Sequence, residues 1–174
     1  MSISAFVFLA VRAAHVLLAA AWLGTAAFIY LFLSPALDEM GPSGAALMTI
    51  MGRRGFHPLI AAVGGTTVLT GLWLYWRFTG GFDPTASATM GARVFGAGGV
   101  AGILALVIGG AIVGRSAKKL EALAAKIPAT SDAAARTALL TEIAATKRRM
   151  GVFGRVVLAL QVVALVCMAV GHYV

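Results

Sequence analysis

Four stretches of this chain are too long and too apolar to be the core helices of a small soluble protein. A helix needs about 20 mostly apolar residues to cross the hydrocarbon of a bilayer. The predicted spans are residues 5–33, 58–78, 94–114 and 152–170. Charged residues make up 11% of the sequence, against about 25% in soluble domains. The sequence therefore predicts an all-α fold, an integral membrane four-helix bundle that forms one transmembrane domain over residues 1–174.

An alternative for the first run is a signal peptide, which has a basic start, a short apolar stretch and a small-residue cleavage site. No Lys or Arg precedes Arg12, and the apolar run continues to Leu33. We therefore expect this helix to be retained. Ser34-Pro35 favours a helix end directly after it.

The basic residues are distributed unequally among the segments that join the spans. Lys and Arg are enriched in cytoplasmic loops, so the basic segments are expected inside and both termini outside. The net charge of +8 then needs no nucleic acid to explain it. We expect a multi-pass protein of the bacterial cytoplasmic, or inner, membrane that contacts the lipid bilayer and binds no nucleic acid. Eleven of the 14 basic residues are expected on the cytoplasmic side: Arg53, Arg54, Arg115, Lys118, Lys119, Lys126, Arg136, Lys147, Arg148, Arg149 and Arg155.

Residues 115–150 are predicted to form a cytoplasmic helical hairpin between the third and fourth spans. Apolar residues recur at helical spacing on both sides of Pro128, which interrupts the helix. Asp132 ends a Thr-Ser-Asp sequence that is typical of a helix N-cap. The shorter apolar run 45–51 cannot span, and we expect it to be an interfacial or helix-extending piece that is interrupted near residues 52–55.

Glycine is concentrated in the second and third spans. In a bilayer, close backbone approach brings helices together, because lipid tails are as apolar as the side chains. Gly98 and Gly102 have the four-residue spacing of close-packed helices, and so do Gly110 and Gly114. These faces are expected to pack the second and third spans together. The alternative is a homodimer or a membrane partner bound through the third helix.

Ionisable residues within membrane spans are costly and usually functional. His15 lies about 15 Å along the first helix. Arg12 comes three residues before it and Trp22 two turns after it, on nearly the same face. A neutral imidazole suits haem iron or copper, and Arg12 suits a haem propionate. These three residues are the candidate cofactor-binding residues. The alternative is a His that is hydrogen-bonded to a neighbouring helix.

A second group of candidate ligands lies at the outer end of the fourth span. His172 is expected on the same side as Arg12, with Met168 one turn before it and Cys167 adjacent. Met, Cys and His together suit Cu(I), which prefers soft ligands. The candidate metal ligands are His15, His172 and Met168. Ordinary apolar packing is the alternative for Met168 and Cys167.

Few other features of the sequence suggest chemistry. His57, which precedes Pro58 at the opposite end of the bundle, is expected to be an interfacial His outside this site. The sequence has no Cys-x-x-Cys-His, no Gly-x-Ser-x-Gly and no phosphate loop, and its six Asp and Glu lie outside the spans. No catalytic residue is predicted, and we expect a binding protein rather than an enzyme.

The stretch Arg12–Gly24 (RAAHVLLAAAWLG) resembles the first helix of the copper resistance protein D (CopD) family and of DUF2269-like membrane proteins. It is more distantly similar to HemJ-type protoporphyrinogen oxidases. A His is followed about two turns later by a Trp-x-Gly sequence, and residues 57–73 and 168–173 resemble the second and last helices of the same set. The resemblance covers most of the chain loosely.

The resemblance implies a four-helix core that handles copper at the outer face or binds haem b through His15, with Trp22 and Gly24 as motif residues. The third span lacks the lysine of HemJ-type proteins, which argues against protoporphyrinogen oxidase activity, and a methionine-rich outer loop that would favour copper is also missing. We expect a CopD-like protein that binds copper or haem b through His15. The alternatives are a haem-dependent membrane oxidoreductase, HemJ-type or quinone-linked, and a non-catalytic accessory subunit.

Overall fold

The computed structural model describes residues 2–174, apart from the side chain of Pro42, and the chain is 88% helical with no β-strand in the described part. The predicted all-α fold is confirmed. Two π-helical segments, Ile29–Leu33 and Gly109–Gly114, join α-helices without a loop, and one 3-10 turn, Ile127–Ala129, lies in the connection between the last two α-helices. The α-helices are α1 (Ile3–Phe28), α2 (Ser34–Glu39), α3 (Pro42–Arg53), α4 (Phe56–Phe78), α5 (Pro84–Ser87), α6 (Met90–Ile108), α7 (Arg115–Ala124) and α8 (Ala133–Val170).

Four helical segments are long and apolar enough to cross a membrane: Ile3–Glu39, Phe56–Phe78, Met90–Ala129 and Ala133–Val170. They alternate in direction, so both chain termini lie at one end of the bundle, which we name the terminal end. The turn between α7 and α8 lies at the other end, the hairpin end. Large apolar side chains on the outer faces are exposed, as for Leu17 at 70%. Such surfaces are suited to lipid, because water would oppose their exposure.

The bundle is closed, because α1 packs on α4, α4 on α6, α6 on α8, and α8 on α1. Its centre contains one large residue, Trp22, which packs with Ala105 and Val157. Ala92 and Ala105 have no exposed surface. Small residues at the contacts let the helix backbones approach closely, which is the main source of association within a bilayer.

Gly64 and Gly71 of α4 pack against α1 and not, as predicted, against the third span, whereas Gly96 of the third span does contact Tyr75 of α4. A Cβ on Gly64 would lie 2.8 Å from Cε2 of Trp22, and a Cβ on Gly71 would lie 2.8 Å from Cε1 of His15. Gly98 of α6 faces α8 in the same way. The prediction is wrong at these positions because the two large side chains of α1 fit only where α4 has no Cβ.

The first span continues past its predicted end, since α2 (Ser34–Glu39) follows the π-helical segment without a break. Proline has no amide hydrogen and its ring clashes with the carbonyl four residues earlier in an α-helix. The wider π-helical turn before Pro35 changes this spacing. The prediction that the helix ends at Ser34-Pro35 is therefore wrong.

The segment between the third and fourth spans forms a helical hairpin. The carboxylate of Asp132 accepts a hydrogen bond from the amide of Ala135 at 2.7 Å, so the predicted N-cap begins α8. Lys119 of α7 and Glu142 of α8 form an ion pair at 2.8 Å, which lowers the pKa of Glu142. The apolar run 45–51 lies within α3, and the chain turns after it at Gly55, where φ is +81°.

Gly64→Ala is predicted to destabilise the protein, because the added methyl would overlap the Trp22 ring. Overpacking of this kind costs roughly 1–3 kcal/mol. The neighbouring residue provides a matched control, since a Cβ on Gly65 would meet nothing within 4 Å. Thermal unfolding of the detergent-solubilised variants should show a lower Tm for Gly64→Ala and an unchanged or higher Tm for Gly65→Ala. Equal Tm values would contradict the Trp22 contact.

Candidate functional site

His15 lies on α1 with its ring directed at α4 and is hydrogen-bonded to this neighbouring helix, which is the arrangement expected if His15 has no cofactor. Its Nδ1 is 2.9 Å from the carbonyl oxygen of Thr67 and 3.1 Å from Oγ1 of Thr70. A carbonyl oxygen only accepts, so Nδ1 carries the proton and donates it. The hydroxyl of Thr70 donates to the carbonyl of Thr66 at 2.7 Å. Nε2 therefore carries the lone pair, and it has no protein partner among the described residues.

Gly71 makes room for the His15 ring. A Cβ at this position would lie 2.8 Å from Cε1, 3.5 Å from Nδ1 and 3.7 Å from Nε2 of His15. The ring therefore rests on bare backbone, and its position is fixed by that contact and by the hydrogen bond to Thr67. A side chain held in this way has little rotamer freedom, so it would lose little on binding a ligand.

Trp22 is a packing residue of the bundle centre. It is 8% exposed and belongs to the core cluster with Ala105 and Val157. Its ring covers Gly64, two turns of helix from His15. Its part in the predicted cofactor site is thus to fix the register of α1 on α4, which sets where His15 lies.

Arg12 and His172 meet at the terminal end, with Nη2 and Nε2 3.3 Å apart. A guanidinium only donates, so Nε2 of His172 is the acceptor in this contact. The His172 ring also stacks edge-on against Phe95, with centroids 5.0 Å apart at 75°. The expectation that these two residues lie on the same side is met, but the contact engages the Nε2 that would bind a metal.

Met168 and Cys167 pack against α6. A Cβ on Gly98 would lie 3.2 Å from Cε of Met168 and 2.8 Å from Cβ of Cys167. No group of three or more His, Cys, Asp or Glu in the described part of the chain is placed to hold a metal ion. The three candidate metal ligands have different contacts: His15 contacts α4, His172 contacts Arg12 and Phe95, and Met168 contacts α6.

His57 lies at the hairpin end, apart from the other two histidines. Its Nε2 is 3.8 Å from Oε1 of Glu121, and its ring stacks edge-on against Phe56 with centroids 5.8 Å apart. These contacts at the hairpin end are separate from the His15 site.

The threonines that hold His15 are a feature that was not predicted from the sequence. Thr66, Thr67 and Thr70 lie on one face of α4, and their helical spacing within an apolar span was the available signal. Gln161 of α8 is another buried polar residue. It is 5% exposed, and neither its amide nitrogen nor its amide oxygen has a hydrogen-bond partner among the described residues.

The chain matches no protein family, no curated protein and no solved structure.

Gly71→Ala is predicted to displace the His15 ring and break its hydrogen bond to Thr67, since the new methyl would overlap Cε1. Nitrogen NMR of protein labelled at histidine should show a neutral His15 that is protonated at Nδ1 in the parent and an altered signal in the variant. His15→Ala assigns the signal. Gly65→Ala, which adds a methyl that contacts nothing, should leave it unchanged, and a parent signal from a ring protonated at Nε2 would contradict the geometry.

Proposed function

We propose that this chain is a CopD-like membrane protein that binds haem b or a copper ion through Nε2 of His15. The supporting observation is the hydrogen bond from Nδ1 to the Thr67 carbonyl at 2.9 Å. A His that binds a metal almost always donates its other ring N–H to a carbonyl, a carboxylate or water, which fixes the tautomer and the ring orientation. This bond leaves Nε2 with an available lone pair.

Of the two centres, haem b fits the available donors better. Haem takes its equatorial ligands from the porphyrin and needs as little as one protein ligand, whereas a Cu(I) site needs further soft ligands. Nε2 of His172 accepts from Arg12, and Met168 packs on α6. Arg12 lies one turn beyond His15 and is a cation suited to a propionate. Bound haem would supply a redox-active iron.

Two alternatives differ in whether a cofactor binds and in the use made of it. A haem-dependent membrane oxidoreductase would use the same His15 site and would add a substrate or quinone pocket. A non-catalytic accessory subunit would bind neither haem nor copper and would use an outer face of the third span. Gly99 and Gly102 favour this face, because a Cβ on either would meet nothing within 4 Å. A homodimer through the same face belongs to this alternative.

We also propose that the protein lies in the cytoplasmic membrane with the hairpin end inside and the terminal end outside. Three basic residues, Arg12, Arg77 and Arg93, lie towards the terminal end, and the other eleven lie towards the hairpin end. Positive charge is retained on the cytoplasmic side during insertion. The His15 site would then open towards the outer half of the bilayer.

Haem binding through His15 predicts a Soret band in the purified full-length protein that is lost in His15→Ala. His57→Ala is the matched control, because it removes a His from the opposite end of the bundle. His172→Ala should keep the Soret band, since haem would be held by His15. Copper by elemental analysis without a Soret band, reduced in both His15→Ala and His172→Ala, would favour the copper alternative. Well-folded protein with neither centre would overturn the proposal and leave the accessory subunit.

The orientation can be tested with two Ser→Cys variants in a Cys167→Ala background. Ser4 and Ser131 are both exposed and lie at the terminal and hairpin ends. In intact spheroplasts, a membrane-impermeant maleimide should label the Ser4→Cys variant. It should label the Ser131→Cys variant only after the spheroplasts are lysed. The reverse labelling pattern would overturn the orientation without affecting the His15 proposal.

A further inference from the structure

A cavity of about 180 Å³ lies at the hairpin end, where the third span passes into α7. Its wall is apolar towards the span and charged towards the hairpin. The lining residues are Ala111, Ile112, Arg115, Ser116, Lys119 and Arg149. The first two belong to the π-helical segment Gly109–Gly114, and π-helical turns are frequent at functional sites.

The position of the cavity along the bundle matches the headgroup region of a bilayer. Residues 94–114 carry no charge, and Arg93 and Arg115 flank them. At 1.5 Å per residue these residues extend about 31 Å, which is close to the hydrocarbon thickness of about 30 Å. Arg115 is therefore the first charged residue beyond the hydrocarbon, with Ile112 below it at the level where acyl chains begin.

Two of the three cations in the cavity have no carboxylate partner. Lys119 pairs with Glu142 at 2.8 Å, whereas no Asp or Glu in residues 2–174 lies within 4.0 Å of Arg115 or Arg149. The guanidinium carbon of Arg149 lies 5.9 Å from the centre of the Phe153 ring, a contact that holds the guanidinium beside the helix. The hairpin thus brings two exposed arginines without a carboxylate partner, one from α7 and one from α8, to the wall of one cavity.

We propose that this cavity binds the phosphate headgroup of an anionic phospholipid. Guanidinium groups bind phosphate oxygens in a bidentate manner, and the hydroxyl of Ser116, a residue that is 7% exposed, adds a donor. Basic pockets between transmembrane helices are a known mode of headgroup binding. A free phosphate offers the same oxygens, but only a lipid also contacts the apolar wall at Ala111 and Ile112.

The test is native mass spectrometry of the full-length chain in detergent, with phosphatidylglycerol or phosphatidylcholine added. The parent should retain phosphatidylglycerol in preference to phosphatidylcholine. Arg115→Gln/Arg149→Gln should weaken phosphatidylglycerol binding by roughly tenfold or more, because each removed cation near the surface weakens binding several-fold. Arg136→Gln/Arg148→Gln removes the same charge from hairpin residues outside the cavity and should weaken binding far less.

Two outcomes would overturn the proposal. Equal losses of phosphatidylglycerol binding in the two double variants would mean diffuse attraction to a basic surface rather than a specific site at the cavity. Displacement of the lipid by inorganic phosphate at similar concentration would mean a site for free phosphate. If the Gln variant does not fold by circular dichroism, Arg115→Lys/Arg149→Lys replaces it. That variant keeps the charge but loses the bidentate contact, so it should bind phosphatidylglycerol more weakly than Arg136→Lys/Arg148→Lys, and equal binding would contradict the proposal.

Discussion

The packing of α1 on the bare backbone of α4 is the contact on which the rest of the structure depends. Trp22 and His15 are seven residues apart on α1, and Gly64 and Gly71 are seven residues apart on α4. Seven residues are close to two helical turns, so each pair lies on one face. Because the helices are antiparallel, the register that places Trp22 on Gly64 also places His15 on Gly71. The orientation of the candidate ligand is thus a consequence of core packing.

The sequence predicts those parts of the structure that follow from properties along a single helix. The four spans follow from length and hydropathy, the start of α8 follows from Asp132, and the interest of His15 follows from the rarity of ionisable residues in spans. Glycine spacing shows that a helix can be approached closely, but not which neighbour approaches it. For the same reason, the threonines that bind His15 and the π-helical turn before Pro35 were not predicted, since both depend on three-dimensional context.

The predicted copper ligands His15, His172 and Met168 each contact a different protein partner. Helical spacing puts His172 one turn after Met168, but α8 ends at Val170 and the two residues have different partners. Nε2 of His172 accepts a hydrogen bond from Arg12, and the terminal methyl of Met168 packs against Gly98. His15 is held by α4 and Arg12 contacts the end of α8, so α1 is tied to both of its neighbours. This double attachment favours a single fixed imidazole over a set of converging ligands.

Nε2 of His15 and the amide of Gln161 both lack partners within residues 2–174, and they belong to different layers of the bundle. Arg12 contacts His172 and Tyr30 contacts Gly154, so α1 and α8 keep one antiparallel register along their length. In that register Gln161 lies opposite residue 23, eight residues from His15 along α1. Eight residues correspond to about 12 Å along the axis, which is too far for one small ligand to satisfy both groups. The availability of His15 therefore has to be judged on its own geometry, in which Thr67 holds one ring nitrogen and leaves the other without a partner.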